Sequence, residues 1–278
     1  MSDARIPIAG VIGAPIAHSL SPRLHGHWLA RYGISGYYVP LEVSQSDLAA
    51  VIPMLPRIGF VGLNVTIPHK ESVIKLADTV TDRASLIGAA NTLIYRSDGK
   101  IHADNTDGHG FLANLRQHAP QWEPATGPAA VLGAGGAARA VVSALLDAGA
   151  PEIRLANRTR ARAEALRSEF GARIVVHDWV QAGNMLEGAA TVVNTTSLGM
   201  DGKPPLRVPL DALNPKAVVN DLVYVPLRTD FLARAEEIGC TTVDGLGMLL
   251  HQAAPGFERW FGLRPDIDDA ARAAVLAP

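Results

Sequence analysis

Residues able to do chemistry gather in a few short stretches of the first 108 residues. IGAPIAHSLSPRLHGHW (12–28) carries Ser19, Ser21 and three histidines, and GLNVTIPHK (62–70) carries Asn64, Thr66 and Lys70. GAANT (88–92) adds Asn91, and HADNTDG (102–108) adds Asp107. The first stretch allows a Ser/His nucleophile, a metal site or an anchor for a substrate. A nucleophile elbow requires the pattern GxSxG, which occurs nowhere in the chain. His25 and His27 stand two apart on an expected helix and cannot share a face, which argues against a metal. Polar residues at the ends of apolar strands, by contrast, point into the crevice where open α/β sheets bind ligands. Singly, each has an ordinary role: Lys70 as a solvated lysine, Asn91 as a turn former, Asp107 as a helix cap. Their convergence favours function.

A second centre lies at VLGAGGAARA (131–140), between an expected strand and an expected helix. Gly133, Gly135 and Ala138 fit a dinucleotide-binding turn, where small residues let the backbone approach a pyrophosphate held at a helix N-terminus. An NAD-selective site usually ends the next strand with a carboxylate for the ribose 2′-hydroxyl. Here Ala156, Asn157, Arg158 and Thr159 stand there, followed by Arg160 and Arg162. With no competing carboxylate and with guanidinium groups suited to a 2′-phosphate, the expected cofactor is NADP(H). In NTTSLGM (194–200), Thr195 and Ser197 are candidates to approach its nicotinamide half, or members of a plain polar turn.

Positioning these groups requires strands and helices in alternation. Strands are expected over 6–13, 37–43, 59–67, 91–96 and 100–106, with helices over 22–33, 46–58 and 70–80 between them. Ser21 followed by Pro22 reads as a helix start, Ser46 or Asp47 as a second cap, and Gly33 as a stop. From residue 128 onward, β-branched runs alternate with Ala/Leu-rich helices, the pattern of βαβ units around a parallel sheet. The Pro-rich segment 117–128 reads as the crossing between two α/β domains.

Bulk properties exclude several classes. With 278 residues, 48% of them hydrophobic, the chain can build two cores. Its net charge of −2 lacks the basic excess of a nucleic-acid binder, so the expected partner is a small molecule. A single cysteine, Cys240, rules out an intrachain disulfide and suits a reducing compartment. The start MSDARIPIAG has no basic and apolar leader pattern, and no long apolar run suggests a membrane span, so a cytoplasmic location is expected. His177, His251 and Cys240 read as ordinary fold residues, and no metal is expected.

In order along the chain, GAPIAHSLSPRLH, NVTIPHK, GAANT, NTDG, GAGGAARA, NRT, NTTSLGM, DLVYVPLRT and GLGMLLHQ resemble the shikimate dehydrogenase family, over nearly the whole length. The resemblance implies reversible NADPH-dependent reduction of 3-dehydroshikimate to shikimate, on the route to chorismate and the aromatic amino acids. It implies two α/β domains flanking a cleft: a mostly parallel-sheet substrate domain of residues 1–110 plus about 245–278, and a Rossmann domain of 111–244. It assigns Ser19 and Ser21 to the substrate carboxylate, with Tyr224 nearby. Asn64, Thr66, Asn91, Asp107 and Gln252 complete the substrate set. Lys70 and Asp107 would be the catalytic pair, supplying a proton and a positive environment to the alkoxide that hydride transfer leaves. Gly133, Ala134, Gly135, Gly136, Ala137, Asn157, Arg158, Thr159, Arg162, Leu222 and Gly245 would hold the cofactor. The implied enzyme acts as a monomer or homodimer. An NAD-preferring quinate/shikimate dehydrogenase is the nearest rival. One residue departs from the family: Gly26 follows His25 where Asn is common, at a helical position where glycine costs up to about 1 kcal/mol relative to alanine.

Overall fold

The computed structural model describes residues 6–277; residues 1–5, which belong to the start read above as lacking a leader, lie outside the described residues. The chain divides into two compact units, one built up to Thr106 and again from Leu249, the other spanning Asp107–Met248.

The first unit opens with β1 (Ile8–Gly13), α1 (Ser21–Arg31) and β2 (Tyr37–Glu42). Helix α1 buries Ser21, Leu24, His25, Trp28 and Leu29, the stripe expected of one helical face. It stops where Gly33 takes a φ of +62°, donating its N–H to Ala30. Its start differs from expectation. Leu20 is the N-cap, Ser21 is the first helical residue, and the Ser19 hydroxyl accepts from the Ser21 N–H at 3.3 Å. The Ser21 hydroxyl therefore does not cap the helix backbone.

Next come the short helix α2 (Leu48–Val51), a 3₁₀ turn at Leu55–Ile58, and β3 (Phe60–Val65). The expected helix over 46–58 is thus broken, with Pro53 and Pro56 unable to donate in a continuous ladder. Strand β4 (Thr79–Val80), α3 (Asp82–Ile87), β5 (Thr92–Tyr95) and β6 (Ile101–Asp104) follow. The sheet runs β2-β1-β3-β5-β6-β4, with β1 parallel to β2 and β3, β4 parallel to β6, and the β3–β5 and β5–β6 pairs antiparallel. Its parallel ladder reverses direction of growth at β1, so ligand-binding loops are expected beyond the C-terminal ends of β1 and β3.

In the second unit, α4 (Asp107–His118) leads to β7 (Ala129–Leu132), α5 (Gly136–Asp147), β8 (Ile153–Ala156), α6 (Arg160–Phe170) and β9 (Ile174–His177). Then come β10 (Thr191–Asn194), β11 (Val218–Asp221), α7 (Asp230–Ile238) and β12 (Thr241–Val243). All six strands are parallel, in the order β9-β8-β7-β10-β11-β12, the doubly wound arrangement whose switch point lies between β7 and β10. The segment 117–128 belongs to this unit and is no crossing: the Trp122 indole donates to Thr191 Oγ1 at 2.9 Å and packs in the core. The chain passes between units instead at Thr106/Asp107 and within α8 (Leu246–Phe261). A last helix, α9 (Asp269–Leu276), is capped by Asp268 and lies against α1.

Candidate active site

In the first unit the strand ends converge. The loop after β1 and the loop after β3 are stitched by backbone bonds, Thr66 N–H to Ile12 C=O at 2.9 Å and Ala14 N–H to Ile67 C=O at 3.1 Å. These bonds bring the stretch holding Ser19 and Ser21 beside Thr66. The Ala90 N–H donates to the Lys70 carbonyl at 2.8 Å, joining the lysine loop to GAANT. His69, buried, anchors the same loop through Nε2 at 2.8 Å from the Val43 carbonyl.

Asn91 stands at the centre. Its Oδ1 accepts from the Thr106 N–H at 2.8 Å, and its Nδ2 donates to Gln252 Oε1 and Thr106 Oγ1, each at 3.0 Å. Asn64 Nδ2 donates to the Asn91 carbonyl at 3.3 Å, and Thr106 Oγ1 donates to the Gln252 carbonyl at 2.8 Å. Asn64, Asn91, Thr106 and Gln252 are all buried, whereas Ser19, Thr66 and Lys70 are partly exposed. A cluster of neutral amides and hydroxyls results, with a lysine in the adjoining loop. Such groups suit a small, uncharged ring bearing several hydroxyls, since each buried partner left unpaired is costly. Thr106 and Asn105, whose Nδ2 donates to the Ala89 carbonyl at 2.8 Å, escape sequence reasoning although they sit inside NTDG. Asp107 directly follows Thr106 and is buried as the first residue of α4.

In the second unit the site lies at the switch point. Gly133 follows β7 with φ +110°, and a Cβ there would lie 2.5 Å from Thr195 Oγ1, so only glycine lets these two strand-end loops meet. Thr195 itself donates to the Leu132 carbonyl at 2.8 Å, while Ser197 is exposed. Gly135, the N-cap of α5, offers no side chain to the first N–H groups of the helix, and a Cβ added to it would meet nothing within 4 Å. The N–H groups of Gly136 and Ala137, in the first turn of α5, thus have no side-chain cap, as an anion site requires.

Asn157 Oδ1 accepts from the Ala134 N–H at 3.1 Å and its Nδ2 donates to the Thr159 carbonyl at 2.8 Å, tying the glycine turn to the basic loop. In that loop and the first turn of α6 the arginines differ. Arg160 is held by Asp178 at 2.7 Å and by Glu164 at 2.9 Å. Arg158 and Arg162 are exposed and make no ion pair among the described residues. They are the guanidinium groups left for a phosphate. Gly245 sits where a Cβ would lie 2.3 Å from the Leu222 carbonyl, so these two cofactor candidates touch. Tyr224 also belongs to this unit and is partly buried, which raises its phenol above the ordinary value.

Asp221, at the end of β11, is the residue most clearly missed. Fully buried, it accepts from Asn194 Nδ2 at 2.8 Å, Thr229 Oγ1 at 2.8 Å and the Val223 N–H at 3.0 Å. It pins the loop after β10 to the loop after β11. Burial pushes its carboxyl up to about 6, against the pull of those three donors. Among the described residues no group of three or more His, Cys, Asp or Glu could hold a metal, and no helix is long and apolar enough to cross a membrane.

A doubly wound sheet with a glycine turn and basic loop, on a chain that also carries a lysine-bearing amide cluster, defines the class of two-domain dinucleotide-dependent dehydrogenases. Comparison with known proteins narrows the class. The shikimate dehydrogenase substrate binding domain family matches residues 11–93, the shikimate/quinate 5-dehydrogenase family residues 118–199, and the shikimate 5′-dehydrogenase C-terminal domain family residues 245–276. The chain is 75% identical over 273 residues to a shikimate dehydrogenase (NADP⁺) of Cereibacter sphaeroides, covering 98% of each chain. It is similar to the shikimate 5-dehydrogenase of Thermus thermophilus solved with NADP(H) and shikimate, with TM-score 0.85 and 38% identity over 97% of this chain and 99% of that one. It is also similar to the quinate dehydrogenase of Corynebacterium glutamicum solved with NAD, with TM-score 0.90 and 30% identity over 98% and 99% of the two chains. The chain belongs to the shikimate dehydrogenase family.

Proposed function

We propose that the chain reduces 3-dehydroshikimate to shikimate with NADPH, reversibly, as an oxidoreductase on a CH–OH group. The buried network around Asn91 carries the reading: its uncharged donors and acceptors match a polyhydroxylated ring and would reject analogues lacking those hydroxyls. Ser19 and Ser21 hold the substrate carboxylate as neutral donors, with Tyr224 beside it. Asn64, Thr66, Asn91, Asp107 and Gln252 orient the ring. When bound, NADPH supplies the hydride. Its pyrophosphate is held by the backbone of Gly133, Ala134, Gly135, Gly136 and Ala137. Asn157, Arg158, Thr159 and Arg162 hold its adenosine end, and Leu222 and Gly245 its other half. Lys70 and Asp107 hold and pass the proton at the substrate oxygen, titrating as one unit. The enzyme works in the cytoplasm, on small molecules and not on nucleic acid, as a monomer or homodimer.

A second reading, NAD-dependent oxidation of quinate, is favoured by the likeness to the Corynebacterium enzyme. Against it stand Arg158 and Arg162, which have no carboxylate partner among the described residues. Absorbance assays with shikimate, quinate or no substrate, each with NADP and with NAD, separate the two. The expected result is a kcat/KM highest for shikimate with NADP. A value for quinate, or for NAD, equal to or above that one would overturn the proposal.

A further inference from the structure

Tyr38 and His25 are buried polar residues that the proposed chemistry does not use. Tyr38 lies on β2 with 8% of its surface exposed, and its hydroxyl is 2.6 Å from Asn64 Oδ1. The direction of that bond follows from chemistry. Asn64 Nδ2 faces the Asn91 carbonyl, which can only accept, so Oδ1 must face Tyr38 and the phenol must donate. With Nδ2 making one long bond of 3.3 Å among the described residues, its second N–H is left as a fixed donor.

The Tyr38 ring cannot easily swing away from this task. It stacks on His25 with centroids 3.8 Å apart and planes 3° from parallel. His25 is in turn enclosed by Trp28, Phe257 and Trp260. Burial drives the His25 imidazole down to about 3, opposed by Asn64, so the stack is uncharged. Burial likewise raises the Tyr38 phenol well above its ordinary value, with the Ser21 hydroxyl pulling the other way, so it stays a donor. Ser21 and His25 are four residues apart on α1 and share its buried face.

We infer that Tyr38 is a positioning residue for the substrate: its hydroxyl, clamped by the His25 stack, fixes the Asn64 amide so that its spare N–H is aimed for the ligand. The inference rests on the proposed assignment of Ser21 and Asn64 to substrate binding. It commits Tyr38 to ground-state binding of the hydroxylated ring, not to the hydride or proton step.

Steady-state kinetics of Tyr38→Phe test it, with Ser21→Ala and Asn64→Ala as markers of the site and Tyr37→Phe, an exposed neighbour on the same strand, as control. Tyr38→Phe should raise the KM for shikimate about three- to tenfold, the loss of one buried hydrogen bond, with kcat within about twofold and KM for NADP unchanged. Tyr37→Phe should change nothing. If Asn64→Ala and Ser21→Ala raise that KM and Tyr38→Phe does not, the inference fails while the site assignment stands. If neither Asn64→Ala nor Ser21→Ala moves it, the site assignment fails and takes the inference with it. A fall in kcat together with a rise in both KM values and a lower melting midpoint would assign Tyr38 to general stability and overturn the proposal.

Discussion

Asp104 closes β6 in the first unit and Asp221 closes β11 in the second, and the two carboxylates are accommodated by opposite means. Asp104 is 8% exposed and accepts from Arg83 Nε at 2.7 Å, from a second Arg83 nitrogen and from Thr81 Oγ1 at 2.8 Å. Burial alone would raise its pKa, yet the guanidinium, Thr81 and the Asn105 N–H together hold it below the usual value. Asp221 is fully buried and accepts three hydrogen bonds against the four of Asp104, but every donor is neutral, and its pKa rises. Neutral donors satisfy lone pairs without answering the charge. The same contrast runs through the two sites with the signs exchanged. The proposed site of the first unit is built of uncharged amides and hydroxyls, while that of the second offers backbone donors and two arginines with no ion pair among the described residues.

If the units divide the work in this way, the largest effect should come from the lysine in the loop adjoining the neutral cluster. Lys70→Ala is expected to lower kcat about 10²- to 10⁴-fold while leaving the affinity for shikimate within a few-fold, read by steady-state kinetics and by equilibrium titration. Near-normal turnover would remove Lys70 from the chemistry and leave the first unit as a binding platform only.

The Asp221 environment makes the next largest claim. Its folded pKa of about 6 lies above an unfolded value near 3.9, so folding favours the protonated form. The stability this gives is full below about pH 4 and is lost as the pH rises to about 6, amounting to about 3 kcal/mol. Asp221→Asn should abolish that pH dependence and raise the melting midpoint at neutral pH, because the Thr229 hydroxyl can turn to accept the new amide. Asp104→Asn should act with the opposite sign: the stability from its lowered pKa is present above the unfolded value and is lost on acidification. Parallel pH-melting curves for the two variants would break the contrast.

A smaller, more selective effect is expected at Arg158. Arg158→Ala should raise the KM for NADPH about ten- to a hundredfold, as loss of a charge-assisted phosphate contact does, and leave that for NADH nearly unchanged. Equal losses with both cofactors would show that the basic loop does not read the 2′-phosphate. Arg160→Ala should discriminate far less, since its guanidinium is already engaged by Asp178 and Glu164.

Local signals made the backbone readable where a strand end and its loop are consecutive. The Gly133 turn, the basic segment 157–162 and the strands β1, β3, β5 and β6 stand where apolar runs and glycines point. Long-range pairing defeated the reading elsewhere. KESVIKLADTV has helical periodicity, yet only a 3₁₀ turn at Val73–Leu76 forms before Thr79–Val80 pairs with His102–Ala103. Asp78 Oδ2 secures that pairing by accepting from the Ile101 N–H at 2.8 Å. Helix α3 was signalled by Thr81, whose side chain accepts from the Ala84 N–H, and by Gly88 at φ +69°, but it is too short for a convincing period. Tyr38 and Asp221 act through Asn64 and Asn194, 26 and 27 residues away, and no local pattern announces such partners.

Two glycines, one in each unit, give the finest test of the division. Gly26 lies exposed in the interior of α1, and a Cβ there would meet nothing within 4 Å; the same holds for Gly135 at the start of α5. Neither has a positive φ, so alanine fits both backbones. Sterically the two positions are equivalent, and nothing in the structure explains the glycine at 26. Alanine at 26 should therefore stabilise the protein by about 0.5–1 kcal/mol, through helix propensity and a less flexible unfolded chain. That corresponds to a rise in melting midpoint of about one to four degrees, with both KM values unchanged. Alanine at 135 sets a methyl where the backbone is proposed to meet a pyrophosphate, so it should raise the KM for NADPH and leave that for shikimate alone. Open space then means two things: on α1 it is solvent, and at the glycine turn it is room for a ligand. A rise in the KM for shikimate with Gly26→Ala would instead make that glycine part of the anchor proposed at Ser19 and Ser21.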